Sequence, residues 1–208
     1  MIQEKLVQHF IEKQTEGWLE EDMPVMQQKF PAHQNQITES LSAVISKLCR
    51  QASRQQQVGR KGPAAYLCIS FLRTNILDDR WQYRLDIYDE KFYLDRTECT
   101  GCWEIDFVWD YLKARLVQLN KAVRSGMYVN KLHQGHLSRV KLAMAKQYHQ
   151  LAMVCTKLVI EEAIKTPEYI LLSKVPNFKI TMGGYLDKSM LLYEEQSEIQ
   201  AMSNSKKE

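Results

Sequence analysis

The sequence predicts an α+β protein, and three observations predict it. Residues 64–72 (AAYLCISFL) are a near-continuous apolar run, as expected of a strand covered on both faces. Trp81, Tyr83, Leu85 and Ile87 alternate with Gln82, Arg84, Asp86 and Tyr88, the pattern of a half-buried strand with a wet side. From Trp103 the apolar period lengthens to that of a helix and holds through two long segments. The expected architecture is a small antiparallel sheet from 64–94 and 169–193. Two long antiparallel helices, 104–125 and about 130–165, pack it, and two N-terminal helices precede it.

Taken in order, Ile2, Leu6 and Phe10, with Val7 and Ile11 beside them, predict a short amphipathic helix. Gly17 and Pro24 interrupt it and Pro31 closes a loop. Asn35 can cap a second helix, whose stripe is Ile37, Leu41, Val44, Ile45, Leu48 and Ala52. That helix decays into a Gln- and Arg-rich tail (51–57) and a loop at 59–63, GRKGP. The two predicted strands are joined across 74–80, so they pair antiparallel, and Phe92, Tyr93 and Leu94 suggest a short third strand. Ile105, Val108, Trp109, Leu112, Leu116, Leu119 and Val123 then hold one helix face until Ser125-Gly126. Leu137, Val140, Met144, Tyr148, Leu151, Cys155 and Leu158 repeat the pattern in a helix finished before Pro167. Strand-like text returns at 169–172, 178–182 and 190–193, around Gly183-Gly184. The domain reading is an N-terminal helical segment, 1–62, a core domain, 63–198, and a disordered polar tail, 199–208.

With 208 residues, 45% hydrophobic and 25% charged, the chain is long enough and ordinary enough to bury a globular core. Its N-terminus carries acids and no continuous apolar stretch, which argues against a signal peptide. The run at 151–155 meets Lys157 far short of a spanning length, so no membrane is expected. Five cysteines in such a chain read as reduced thiols and point to a cytoplasmic protein, with Cys49, Cys68 and Cys155 as packing.

Charge is the most distinctive feature. Between Asp110 and Glu161 there is no acid, yet there are nine Lys or Arg, directly after a block (78–110) with ten acids and four bases. On helical wheels Lys113, Lys121 and Arg124 share one face, and Arg139, Lys146 and Lys157 share another, both away from the apolar stripes. An acid-free basic face attracts negative partners. The leading expectation is a non-catalytic binding or scaffolding protein. Its basic helices would engage an acidic protein surface, its own acidic block or a second copy in a homodimer, or a polyanion. A nucleic-acid-associated regulator is the alternative, but no aromatics interleave with the basic positions and no reading motif accompanies them.

A second constellation is Cys99-Thr-Gly-Cys102 followed by His133-Gln-Gly-His136. Two cysteines on a tight turn with two histidines have the donor set of a tetrahedral zinc site, although their separation suits no standard finger. No other cofactor is expected. An enzyme or zinc protein using the Cys99/Cys102 neighbourhood is the remaining alternative. The sequence holds no nucleophile elbow, P-loop or dinucleotide fingerprint. Asp89-Glu90-Lys91 has the D-x-K form of some nucleases, but Asp79 and Asp89 would stand at opposite ends of one strand, too far apart to share a metal, and Arg84 with Asp86 reads as a surface ion pair.

Overall fold

The computed structural model describes residues 9, 12, 13, 15–125 and 134–195; the predicted first helix around Phe10, His133 and the predicted tail lie wholly or mostly outside these. The protein is α+β, with one five-stranded sheet packed against helices. Its elements are α1 (Trp18–Gln57), β1 (Ala64–Phe71), α2 (Arg73–Leu77), β2 (Gln82–Asp89) and a 3-10 turn (Phe92–Leu94). There follow β3 (Thr100–Glu104), α3 (Asp106–Ser125), α4 (Gln134–Ala163), α5 (Pro167–Ile170), β4 (Lys174–Gly184) and β5 (Ser189–Glu194). The chain divides into two compact units, the first comprising Met1–Gln34, Arg73–Trp81 and Ile105–Ala152, the second Asn35–Leu72, Gln82–Glu104 and Met153–Glu208.

The second unit holds the whole sheet, in the order β3-β2-β1-β4-β5. β1–β2, β2–β3 and β4–β5 are antiparallel, but β1 and β4 run parallel with Leu67 opposite Ile180, so the sheet is mixed where an antiparallel one was expected. The physical reason is the connection: a parallel partner needs a long crossover, and more than a hundred residues, including the two long helices α3 and α4, separate β1 from β4. One sheet face is apolar. Leu67, Ile69, Tyr83, Leu85, Ile87, Trp103, Phe178, Ile180 and Met182 are essentially buried, as are Ile37, Leu41, Ile45, Leu48 and Ala52 of α1. Gly101 shows how close this packing is, since a Cβ there would lie 3.3 Å from Val44 Cγ1. Trp103 Nε1 donates to Ser40 Oγ at 3.0 Å, so its buried indole is satisfied.

At the far edge, Gly183 must be glycine because an added Cβ would meet the Lys188 carbonyl oxygen at 2.3 Å. Lys157 of α4 donates to the Leu192 carbonyl oxygen, satisfying a backbone group of the edge strand β5.

Three local expectations are corrected. One helix, α1, replaces the expected break at Pro24 and Pro31, and Asn35 lies inside it rather than capping a second helix. Each proline removes one helical hydrogen bond, at Glu20 and Gln27, but both prolines and both of these residues are exposed, so the freed carbonyls face solvent. Burial before and after them, at Trp18 and Met26 and then at Ile37 to Leu48, outweighs the local cost. Phe92–Leu94 is a 3-10 turn, and the third strand is instead Thr100–Glu104. The strand-like 169–172 begins within α5, where Pro167 occupies the first turn and Thr166 caps it.

In the first unit, Ile105, Val108, Trp109, Leu112 and Leu119 of α3 are buried as the period required. Trp81, expected at the start of β2, precedes the strand and packs on Trp109 (ring centroids 5.6 Å), with Lys141 Nζ 5.3 Å from its ring. His149 of α4 is 5% exposed, and burial pushes its pKa down to about 4. Because the folded chain keeps this ring neutral while the unfolded chain protonates it near pH ~6.5, stability should fall as pH drops from there towards 4. The expected loss is of order 3 kcal/mol, read from urea unfolding across that window. His149→Gln should flatten the slope, and equal slopes in both proteins would refute the assignment.

Candidate functional site

The structure distributes the predicted basic residues unevenly. Lys113 reaches Asp110 at 2.9 Å and Asp106 at 3.3 Å on its own helix. Arg115 pairs with Asp22 at 2.6 Å and Glu21 at 2.7 Å, and Lys141 pairs with Asp79 at 2.6 Å. Lys157 belongs to the second unit and is committed to the Leu192 carbonyl. Lys121 and Arg124 are exposed on α3. Arg139 and Lys146 are exposed on α4 in the first unit, and neither makes an ion pair with any described residue. Gly135, Ala143, Gln147 and Gln150 are exposed on the same stretch, so this strip carries cations and neutral groups without an acid.

The cysteines do not form the expected tight turn. Cys102 lies in β3 and Cys99 immediately precedes it. Cys99 is buried and Cys102 exposed. His136 lies in the first unit and the cysteines in the second. Among the described residues, no group of three or more His, Cys, Asp and Glu could hold a metal ion. Asp89 of the D-x-K motif is buried and structural, accepting from the backbone N–H of Lys91 at 2.9 Å and of Gly62 at 3.3 Å.

Sequence reasoning read the second face of the sheet only as a wet side with an ion pair. Pairing brings Tyr66 opposite Tyr88, Cys68 opposite Asp86, and Ser70 opposite Arg84. Asp86 is only 3% exposed, so the expected surface pair is a half-buried one. Its carboxylate accepts from Arg84 Nε at 2.8 and 3.0 Å and Nη2 at 2.9 Å, and Glu98 stands 3.6 Å from the same guanidinium. These hydrogen bonds to Asp86 hold Arg84 firmly charged.

Two segments wall this face into a cavity of about 270 Å³. The first is 92–98, fastened by a buried ion pair between Lys61 and Asp95, whose side chains are 0% and 3% exposed. Asp95 also accepts from the backbone N–H of Asp89 (3.1 Å) and of Thr97 (2.9 Å). Burial works against its charge, but Lys61 and these two amides hold its carboxyl below the usual carboxylate range. The second segment is the β4–β5 turn bearing Tyr185 and Leu186. Both segments carry a bulky residue with positive φ, Phe92 at 53° and Leu186 at 56°. Such residues are genuine outliers and strain of this kind concentrates at functional sites; here each is next in sequence to a cavity tyrosine, Tyr93 and Tyr185.

The rings meet at steep angles. Tyr88 and Tyr93 have centroids 5.4 Å apart at 73°, and Tyr93 and Tyr185 are 6.4 Å apart at 67°. Arg84 lies 5.7 Å from the Tyr185 ring centroid. Burial raises the pKa values of Tyr88 and Tyr93, keeping both phenols neutral. The signal that could have found this site is Tyr88, Phe92, Tyr93 and Tyr185 read together, but nothing in the sequence shows that the last joins the first three.

No protein-family model, curated protein or solved structure matches this chain. Function therefore rests on the geometry alone. Among the described residues, no helix is long and apolar enough to cross a membrane.

Proposed function

We propose that this is a non-catalytic binding or scaffolding protein whose basic helical surface engages an acidic protein surface, on a partner or on a second copy of the chain. The observation that carries the reading is the exposed strip of α4 bearing Arg139 and Lys146 without an acidic partner among the described residues. Lys113, Arg115 and Lys141 hold charges of the same acid-free stretch, but each is already matched by a carboxylate. What remains is a field directed outward, suited to long-range attraction of a negative surface. An acidic protein is favoured over nucleic acid because no aromatic ring stands between Arg139 and Lys146 to stack a base.

The double reversal Arg139→Glu/Lys146→Glu tests it. Poly-glutamate should bind the wild-type protein at low salt, weaken as salt rises, and bind the variant roughly 10- to 100-fold less tightly, since two attractions become repulsions. The melting temperature should stay within the small range of surface substitutions. Binding unchanged by the reversal would overturn the reading. Duplex DNA bound more tightly than poly-glutamate, with a steep salt slope, would replace it with a nucleic-acid function.

A further inference from the structure

We propose that the tyrosine-walled cavity on the second sheet face is a binding site for a compact organic cation of the alkylammonium class, a site separate from the basic strip. Its volume of about 270 Å³ fits a headgroup or one side chain, falling just under the ~300–1,000 Å³ of drug-sized pockets. Tyr88, Tyr93 and Tyr185 line it, Tyr93 meeting each of the other two rings at a steep angle, with Arg84 5.7 Å from the Tyr185 ring centroid. A cation gains from several ring faces at once, whereas a flat base needs two parallel rings with a gap between them. Tyr93 and Tyr185 are neither parallel nor separated enough to receive one.

The charges agree. Arg84 is the cation lining the cavity, and it is matched twice, by Asp86 and by Glu98. Asp95 is matched by Lys61. Counting these five groups, one negative charge is left over, and Glu98, with a side chain 77% exposed, carries it at the rim. An anionic ligand would face three carboxylates and a guanidinium already occupied. An ammonium ion meets aromatic rings and the exposed Glu98 carboxylate, which Arg84 holds only at 3.6 Å.

The probe pair is choline and 3,3-dimethyl-1-butanol, which share one shape and differ in the charge of the central atom. Titrated calorimetrically into the full chain, choline should bind and the neutral alcohol should not. Tyr185→Leu should weaken choline roughly 2- to 30-fold, the range for losing one cation–π face, while Tyr185→Phe should retain binding. Glu98→Gln alters an exposed group, so it is expected to leave the fold intact, weaken choline several-fold and reduce its salt dependence. This variant keeps the test decisive should Tyr185→Leu fail to fold. Equal binding of the alcohol, no choline binding at ~10 mM, or binding indifferent to both Tyr185→Leu and Glu98→Gln would each overturn the proposal. A trimethyl-lysine peptide that outcompetes choline would support it and assign the cation to a protein side chain; a peptide that competes no better would support it and assign a free amine.

Discussion

Lys61→Ala should lower the free energy of unfolding by about 3–5 kcal/mol, the cost of leaving a buried charge without its partner. The lysine side chain is 0% exposed and that of Asp95 3%, so water cannot replace the missing ammonium. Lys61 also donates to the Thr97 carbonyl oxygen at 3.1 Å, and the substitution leaves that carbonyl without its donor. Asp95→Ala should cost at least as much, because it frees the backbone N–H groups of Asp89 and Thr97 as well as the ammonium. In a double-mutant cycle the two losses should be strongly non-additive, since the second substitution removes a group already stranded by the first. Chemical denaturation of the four proteins measures this directly; additive losses would mean that the pair contributes nothing as a pair. Because the Asp95 carboxyl is held below its usual range, its contribution is present above the unfolded-state pKa of ~3.9 and is lost as pH falls from there through the folded-state value. That lies below most of the window assigned to His149, so the two acid responses can be separated.

Asp22→Ala should be the comparable lesion in the first unit, at about 2–5 kcal/mol. Asp22 is 7% exposed inside α1. It accepts from Arg115 Nη2 at 2.6 Å and Nε at 3.2 Å, and the Tyr148 hydroxyl donates to it. Removing the carboxylate leaves a fully buried phenol without its acceptor, and leaves Arg115 with Glu21 alone, whose side chain is 64% exposed. Tyr148→Phe removes one hydrogen bond to a charged group and should cost about 1.5–3 kcal/mol. In the Asp22→Ala background, Tyr148→Phe should restore stability, because it deletes the orphaned hydroxyl. If it destabilises further instead, Asp22 does not hold Tyr148 in the folded chain.

Much of the fold was legible because burial has a period. The stripes of α3 and of α1 from Ile37 to Ala52 lie where spacing placed them, and β1 and β2 pair as their patterns required. Leu158 is the exception on α4: it continues the stripe in sequence but is 60% exposed. Prolines misled because propensity is local, whereas the burial that carries α1 through Pro24 and Pro31 is tertiary. Cys99 and Cys102 misled for a related reason, since a C-x-x-C spacing reads the same on a turn and beside a strand, and only the ladder with β2 distinguishes them. The tyrosine cavity was hidden because Tyr93 and Tyr185 are far apart in the chain and meet only through sheet order.

The sequence by itself determined the α+β class, the main helices and first two strands, and the acid-free run of cations, all of which follow from periodicity and composition along the chain. Tertiary structure alone decided which cations are matched by carboxylates, that β4 lies parallel to β1, and that three tyrosines and Arg84 line one cavity. The difference is physical. Periodicity records whether a side chain faces a core, but ion pairs and cavities depend on which distant residues that core brings within a few ångströms.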